Sequence, residues 1–164
     1  MSQRTADLVT GFYAAFARRD WAPMAAAYRP QASFRDPVFR LEGWRIGAMW
    51  RMLCERGVEL RIEAQLLDAT DDRASARWEA WYRFSAGNRP VHNRIRAEFR
   101  IQDGLIREHR DAFSLYRWAA QALGLRGRLL GWLPPVRGAI RSQASRGLAR
   151  FIADRGLGPA GPAS

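Results

Sequence analysis

The hydrophobic period of this chain changes once, near Val58, and that change restricts the folds open to it. Upstream, apolar residues recur at helical spacing. In residues 6–18, "ADLVTGFYAAFAR", Leu8, Val9, Phe12, Tyr13 and Phe16 share one face. A second helix starts after Asp20, whose side chain can cap it, tolerates Pro23 in its first turn, and ends near Pro30. "GWRIGAMWRMLCER" arranges Trp44, Met49, Met52 and Leu53 for a third helix, stopped by Gly57. Between these two, "ASFRDPVF" reads as a short strand that breaks at Pro37, since proline cannot donate to a ladder.

Downstream of Val58 the period is two, the signature of antiparallel strands. "VELRIEAQLL" alternates through Val58, Leu60, Ile62 and Ala64. "ARWEAWYRF" sets Trp78, Ala80, Tyr82 and Phe84 against Glu79, Trp81 and Arg83, and "SAGNRP" is a turn by composition. "VHNRIRAEFRI" alternates most cleanly, with Val91, Asn93, Ile95, Ala97, Phe99 and Ile101 on one side. "QDG" closes a hairpin into a last strand, Leu105 to Tyr116. Helices followed by a long meander predict an α+β fold: a curved antiparallel sheet with helices over its concave face. At 164 residues, one domain with a real core is expected.

Two features resist simple burial. In "FRDPVF", Asp36 stands among Phe34, Val38 and Phe39. It is either a turn-former at a strand end or an acid at the mouth of an apolar pocket, where burial beside Phe34 and Trp50 would raise its pKa. In the last strand, Leu105, Arg107, His109, Asp111 and Phe113 form one set, and its apolar ends point it inward. His109 and Asp111 then lie inside, at a cost of several kcal/mol unless paired or functional. His109 is either a satisfied interior histidine bonded to Asp111 or a catalytic one, and Asn93 on the neighbouring strand is read first as structural. The side-chain types of Asp36, His109 and Asp111 suit a metal, but no ligand spacing accompanies them. No metal and no cofactor is expected.

The run "RRDWAPMAAAYRPQASFRDP" resembles the segment found in ketosteroid isomerases and SnoaL-like polyketide cyclases, members of the nuclear transport factor 2 superfamily. In that pattern an Asp after a short turn opens a helix that leads through "aaxY" to a strand ending in Asp-Pro. The resemblance covers roughly residues 5 to 117. It implies a cone-shaped fold over residues 1–117 and a pocket lined by Tyr13, Phe34, Trp50, Trp78, Tyr82, Asn93 and Phe113, taking a small apolar or polycyclic molecule. It places Asp36 at the isomerases' general base. Their two oxyanion donors, a tyrosine on the first helix and a protonated aspartate on the third meander strand, fall at Phe12 and Ala97, so steroid isomerisation of that kind is not implied. SnoaL-like members often carry a His or Asp on the later strands for acid-base work, which points to His109 and Asp111. An enzyme with Asp36 as base and His109 as acid partner stands beside a non-catalytic ligand-binding or protein-interaction module. Trp81, on the outer face, is shielded by arginine stems or forms a sheet-to-sheet contact; a homodimer is expected.

The charge is unevenly placed. Every one of the 27 basic residues is arginine, giving a net +11. From Arg117 to Arg155 eight arginines face one acid, Asp154. Residues 118–155 are read as an Arg-rich amphipathic helical extension, because "WAAQALGLRGRLLGWLPP" is too apolar to stay in water and "VRGAIRSQASRGLARFI" is periodic. It is expected to fold back as a lid over the pocket mouth or the partner subunit, with an anionic membrane surface as the alternative and nucleic acid not favoured. Residues 156–164 are read as disordered. A lone Cys54 excludes an internal disulfide, and no apolar leader precedes the first acid, so a cytoplasmic location is expected.

Overall fold

A computed structural model describes residues 1–159. The elements run α1 (Gln3–Ala17), α2 (Trp21–Ala26), β1 (Tyr28–Arg35), β2 (Arg40–Glu42), α3 (Trp44–Arg56), β3 (Val58–Ala69), β4 (Arg73–Phe84), β5 (Arg89–Gln102) and β6 (Leu105–Ala112). Three further helices follow: α4 (Leu115–Ala122), α5 (Leu125–Leu130) and α6 (Pro134–Arg155). The strands form one open sheet in the order β2-β1-β6-β5-β4-β3. α1 lies across β3 and β4 and buries Val9, Phe12, Tyr13 and Phe16. Fully burying side chains of this size contributes about 1.5–3 kcal/mol each.

The meander is antiparallel, as the period of two predicts, and the turn at Asp103 and Gly104 takes φ +55° and +74° there. Two successive positive φ values match the right-handed twist of the flanking strands. The sheet as a whole is mixed, because β1 pairs parallel with β6. The long path through α3 and the meander makes room for a parallel return. That pairing also shortens the second helix. Ala27 accepts from Ile106 N at 2.8 Å, so Tyr28 begins a strand where the sequence suggested helix as far as Pro30.

One bulge decides which way the last strand faces. Arg100 pairs with Glu108 and Ile101 with Ile106, leaving Arg107 as an extra residue on β6. The uniform alternation read from the sequence therefore fails before the bulge: Ile106 is buried and Arg107 exposed. Beyond it, His109 and Asp111 turn inward, at 2% and 4% exposure.

The C-terminal helices hold to the body at separate points. Ser114 caps α4 by accepting from Arg117 N, and Leu115, Ala119 and Ala122 are buried. β5 outruns β6, and Gln121 covers the bare edge of its first residues, accepting from His92 N and donating to His92 O. α6 docks on α3 through Leu148 and Phe151, with Arg155 bound to Glu55 at 2.6 Å and the Arg56 guanidinium 5.0 Å from the Phe151 ring. Arg141 Nε donates to Pro37 O at 2.8 Å, which ties α6 to the Asp-Pro turn. The reading of residues 156–164 as disordered is corrected at its start. Gly156 ends α6 in the left-handed conformation, Leu157 N donates to Ile152 O, and the Leu157 side chain packs on the core. Residues 160–164 lie outside the described residues. Among the described residues, no helix is long and apolar enough to cross a membrane.

Phe151 is 1% exposed, so Phe151→Ala should lower the urea-measured stability of the whole chain by about 3–5 kcal/mol. Arg150→Ala, one residue away on the exposed side, should change it by less than about 0.5 kcal/mol.

Candidate active site

His109 sits at the centre of an aromatic cone. The rings of Phe12, Tyr28, Phe34, Trp50 and Phe99 surround it at centroid distances of 4.2 to 6.0 Å. An imidazole is tolerated there because both nitrogens are bonded. Tyr28 Oη lies 2.6 Å from Nδ1, and Asp111 Oδ1 lies 2.9 Å from Nε2. Trp50 Nε1 donates to Tyr28 Oη at 3.0 Å, and Trp78 Nε1 reaches Asp111 Oδ1 at 3.4 Å. One proton order satisfies every member. Tyr28 accepts from Trp50 and donates to Nδ1, and a neutral His109 donates from Nε2 to the Asp111 carboxylate. Burial pushes the Tyr28 hydroxyl well above its ordinary pKa, which keeps it a donor.

Asp36 lies near the Asp111 end of this chain of bonds, close enough for the Asp111 charge to act on it. Phe34 is level with His109 and Arg35 with Arg110 in the parallel ladder, so one step further brings Asp36 beside Asp111 on the inner face. Its Oδ1 accepts from Val38 N and Phe39 N, both at 2.6 Å, and its own N–H donates to Phe39 O. The turn-forming and pocket-acid readings of "FRDPVF" thus describe one side chain. Burial raises the Asp36 pKa from 3.8 to about 6, against the two turn bonds, which lower it; the Asp111 charge adds to the rise. Asp36 and Asp111 each have one oxygen tied by hydrogen bonds, and among the described residues the second oxygen of each takes none.

Tyr13 brings a third polar group. Its hydroxyl is buried with no partner, between Phe12, Trp78 and Phe99. Burial, then the charge of Asp111, push its pKa well above the usual tyrosine value. A buried hydroxyl left unpaired costs about 1–3 kcal/mol, so Tyr13 is a donor without an acceptor, close enough to Asp111 to feel its charge.

The profile of the SnoaL-like domain matches residues 9–109. The chain belongs to this SnoaL-like family. Among solved structures it is similar to a candidate polyketide cyclase from Xanthomonas campestris, at 22% identity and TM-score 0.62 over 73% of this chain and 97% of that one. It is also similar to a protein with a ketosteroid isomerase-like fold from Catenulispora acidiphila, in complex with trimethylamine, at 16% identity and TM-score 0.64 over 79% and 99%. An epoxide hydrolase-like structure from M. tuberculosis matches at 20% identity and TM-score 0.59 over 81% and 98%. At such identities the likeness is one of fold. No curated protein matches the chain.

Within this SnoaL-like cone, the structure brings together Tyr13, Phe34, Trp50, Trp78, His109 and Asp111, with Asp36 at the rim. Tyr82, near the end of β4, packs at the edge of the core, accepts from Trp118 Nε1 at 2.7 Å and lines a surface depression of about 360 Å³ with Trp81, His92 and Gln121. Asn93 and Phe113 are half-buried; Asn93 lies opposite Ala80, on the part of β5 that outruns β6. Arg94 and Arg96 point outward, so neither stands between the two carboxylates. Among the described residues, no group of three His, Cys, Asp or Glu is placed to hold a metal ion. The sequence does not single out Tyr28: "AAAYRP" reads as helix, and only the strand pairing turns that ring toward His109. Ala97, level with the isomerases' second donor, lies directly opposite Asp111.

Because its folded pKa is raised, Asp36 adds stability fully below pH ~4, and that stability is lost as pH rises through about 6. Ionising it at neutral pH costs about 2–3 kcal/mol. Asp36→Asn keeps an acceptor for both turn amides. It should raise stability at pH 7.5 by about 1–3 kcal/mol and leave it unchanged near pH 4, as read by urea melts at both values.

Proposed function

We propose that this SnoaL-like protein carries out general acid-base catalysis, of the isomerase or cyclase type, on a small apolar or polycyclic carbonyl compound. The observation that carries the reading is the Asp36 carboxyl, raised to about 6 and held by two backbone amides with one oxygen left over. Near neutral pH it is mostly ionised yet poorly solvated, the state suited to taking a proton from carbon next to a carbonyl and returning it. Asp111, with a free oxygen beside Asp36, is the second acid-base group, and Tyr13 is the hydroxyl that would bond a developing oxyanion. His109, the acid partner in the sequence reading, has both nitrogens engaged. It acts through Asp111, fixing that carboxylate, and is itself held in place by Tyr28. The reading includes a cytoplasmic homodimer joined over the outer sheet face. There the Arg61 guanidinium sits 4.0 Å from the Trp81 ring, which in turn stacks on His92 at 4.5 Å.

A second reading, a binding module without turnover, is favoured by the packing of the cone: Phe12, Phe34, Trp50 and Phe99 fill its interior to 2% exposure or less. Deuterium incorporation next to the carbonyl of a panel of cyclic ketones and enones, followed by NMR, separates the two. Catalysis predicts exchange that rises with pH through about 6 and falls by about a hundredfold or more in Asp36→Asn. Tyr13→Phe should slow exchange while leaving thermal stability equal or higher, since it removes an unpaired hydroxyl. Ligand binding with no exchange, unchanged in Asp36→Asn, would establish the binding module instead.

A further inference from the structure

The apolar segment that the sequence requires to dock does so only in its first half, through α4; its second half, from Leu125 to Trp132, stays exposed. α5 meets α4 backbone to backbone: a Cβ on Gly127, the one buried residue of α5, would fall 1.9 Å from Ala119 O. Contact so close leaves no room for side chains between the helices and turns those of α5 away. Leu125, Leu129, Leu130 and Trp132 are 69%, 62%, 45% and 63% exposed. Trp132 donates Nε1–H to Leu129 O at 3.1 Å, which satisfies its polar edge and leaves the ring as apolar surface. Arg126 and Arg128 alternate with these leucines, and Arg117 and Arg137 flank the segment, all four exposed.

The geometry points to a peripheral docking surface for an anionic lipid bilayer. Leu125, Leu129, Leu130 and Trp132 enter the headgroup boundary, and the arginines engage lipid phosphates and carboxylates. Charge selects this occupant. A second copy of the chain would set eight arginines and one acid against the same eight and one, so self-pairing of this face is repelled. A single strand would answer the charge but needs aromatic platforms for its bases, and a duplex held through its phosphates leaves the exposed apolar side chains unburied; here three of those four are leucines. A bilayer interface takes both halves, and tryptophan is enriched there. With no helix able to span among the described residues, the attachment is to the surface.

The test is co-sedimentation of the full chain with vesicles of phosphatidylcholine alone and of phosphatidylcholine with about a third phosphatidylserine, at low and high salt. The expected result is binding to the anionic vesicles that weakens with salt, reduced at least tenfold in Leu129→Glu/Trp132→Glu and in Arg126→Gln/Arg128→Gln. Thermal melts should be unchanged in both, because all four positions are exposed. Failure of the wild-type chain to bind anionic vesicles would overturn the inference, as would equal binding to neutral ones or full binding by the glutamate variant. A concentration-dependent dimer that Leu129→Glu dissociates would assign the surface to a second copy. Duplex DNA binding that survives in the glutamate variant, without vesicle binding, would assign it to nucleic acid.

Discussion

A carboxylate and an imidazole lie inside an aromatic cone, and much of the architecture can be understood as what makes that tolerable. Asp111 and His109 have side chains 3% and 0% exposed, where an unpaired charge would cost several kcal/mol. The bonds around them draw on three separate elements: Tyr28 from β1, Trp78 from β4, and Trp50 from α3, which donates to Tyr28. The parallel strand, the third helix and the middle of the meander are thus tied through one line of polar atoms. Such lines are all-or-none, since a half-satisfied buried network is worse than an apolar core.

Asp36 belongs to this scheme at its edge. A turn needs an acceptor for the amides after Pro37, and a carboxylate supplies it with one oxygen. The other oxygen is left near a second carboxylate in a poorly hydrated place, and burial there raises the Asp36 pKa. Structural and chemical duties are divided between the two atoms of one side chain. Arg141 adds a link from the C-terminal extension, since the carbonyl it binds is that of Pro37 within the same turn.

Much of this was legible in residue order. The change of period near Val58 and the primed turn at Asp103 and Gly104 rest on local rules that tertiary contacts did not override. What could not be read depends on partners distant in sequence. The extra residue at Arg107 appears only when β6 is laid against β5, and Tyr28 becomes a strand residue only because β6 lies beside it.

The extension also has a fixed charge. Its cations are all guanidinium groups, which stay protonated at any pH the fold would survive. Asp36 titrates near 6, so mild acidification would alter the cone's rim while leaving the helical arm as positive as before. With no lysine anywhere in the sequence, side-chain acetylation and ubiquitination have no target on this chain. Lysine acetylation cannot neutralise that arm, whereas counter-ions or an anionic partner can. Reagents aimed at lysine amines will pass over the whole surface.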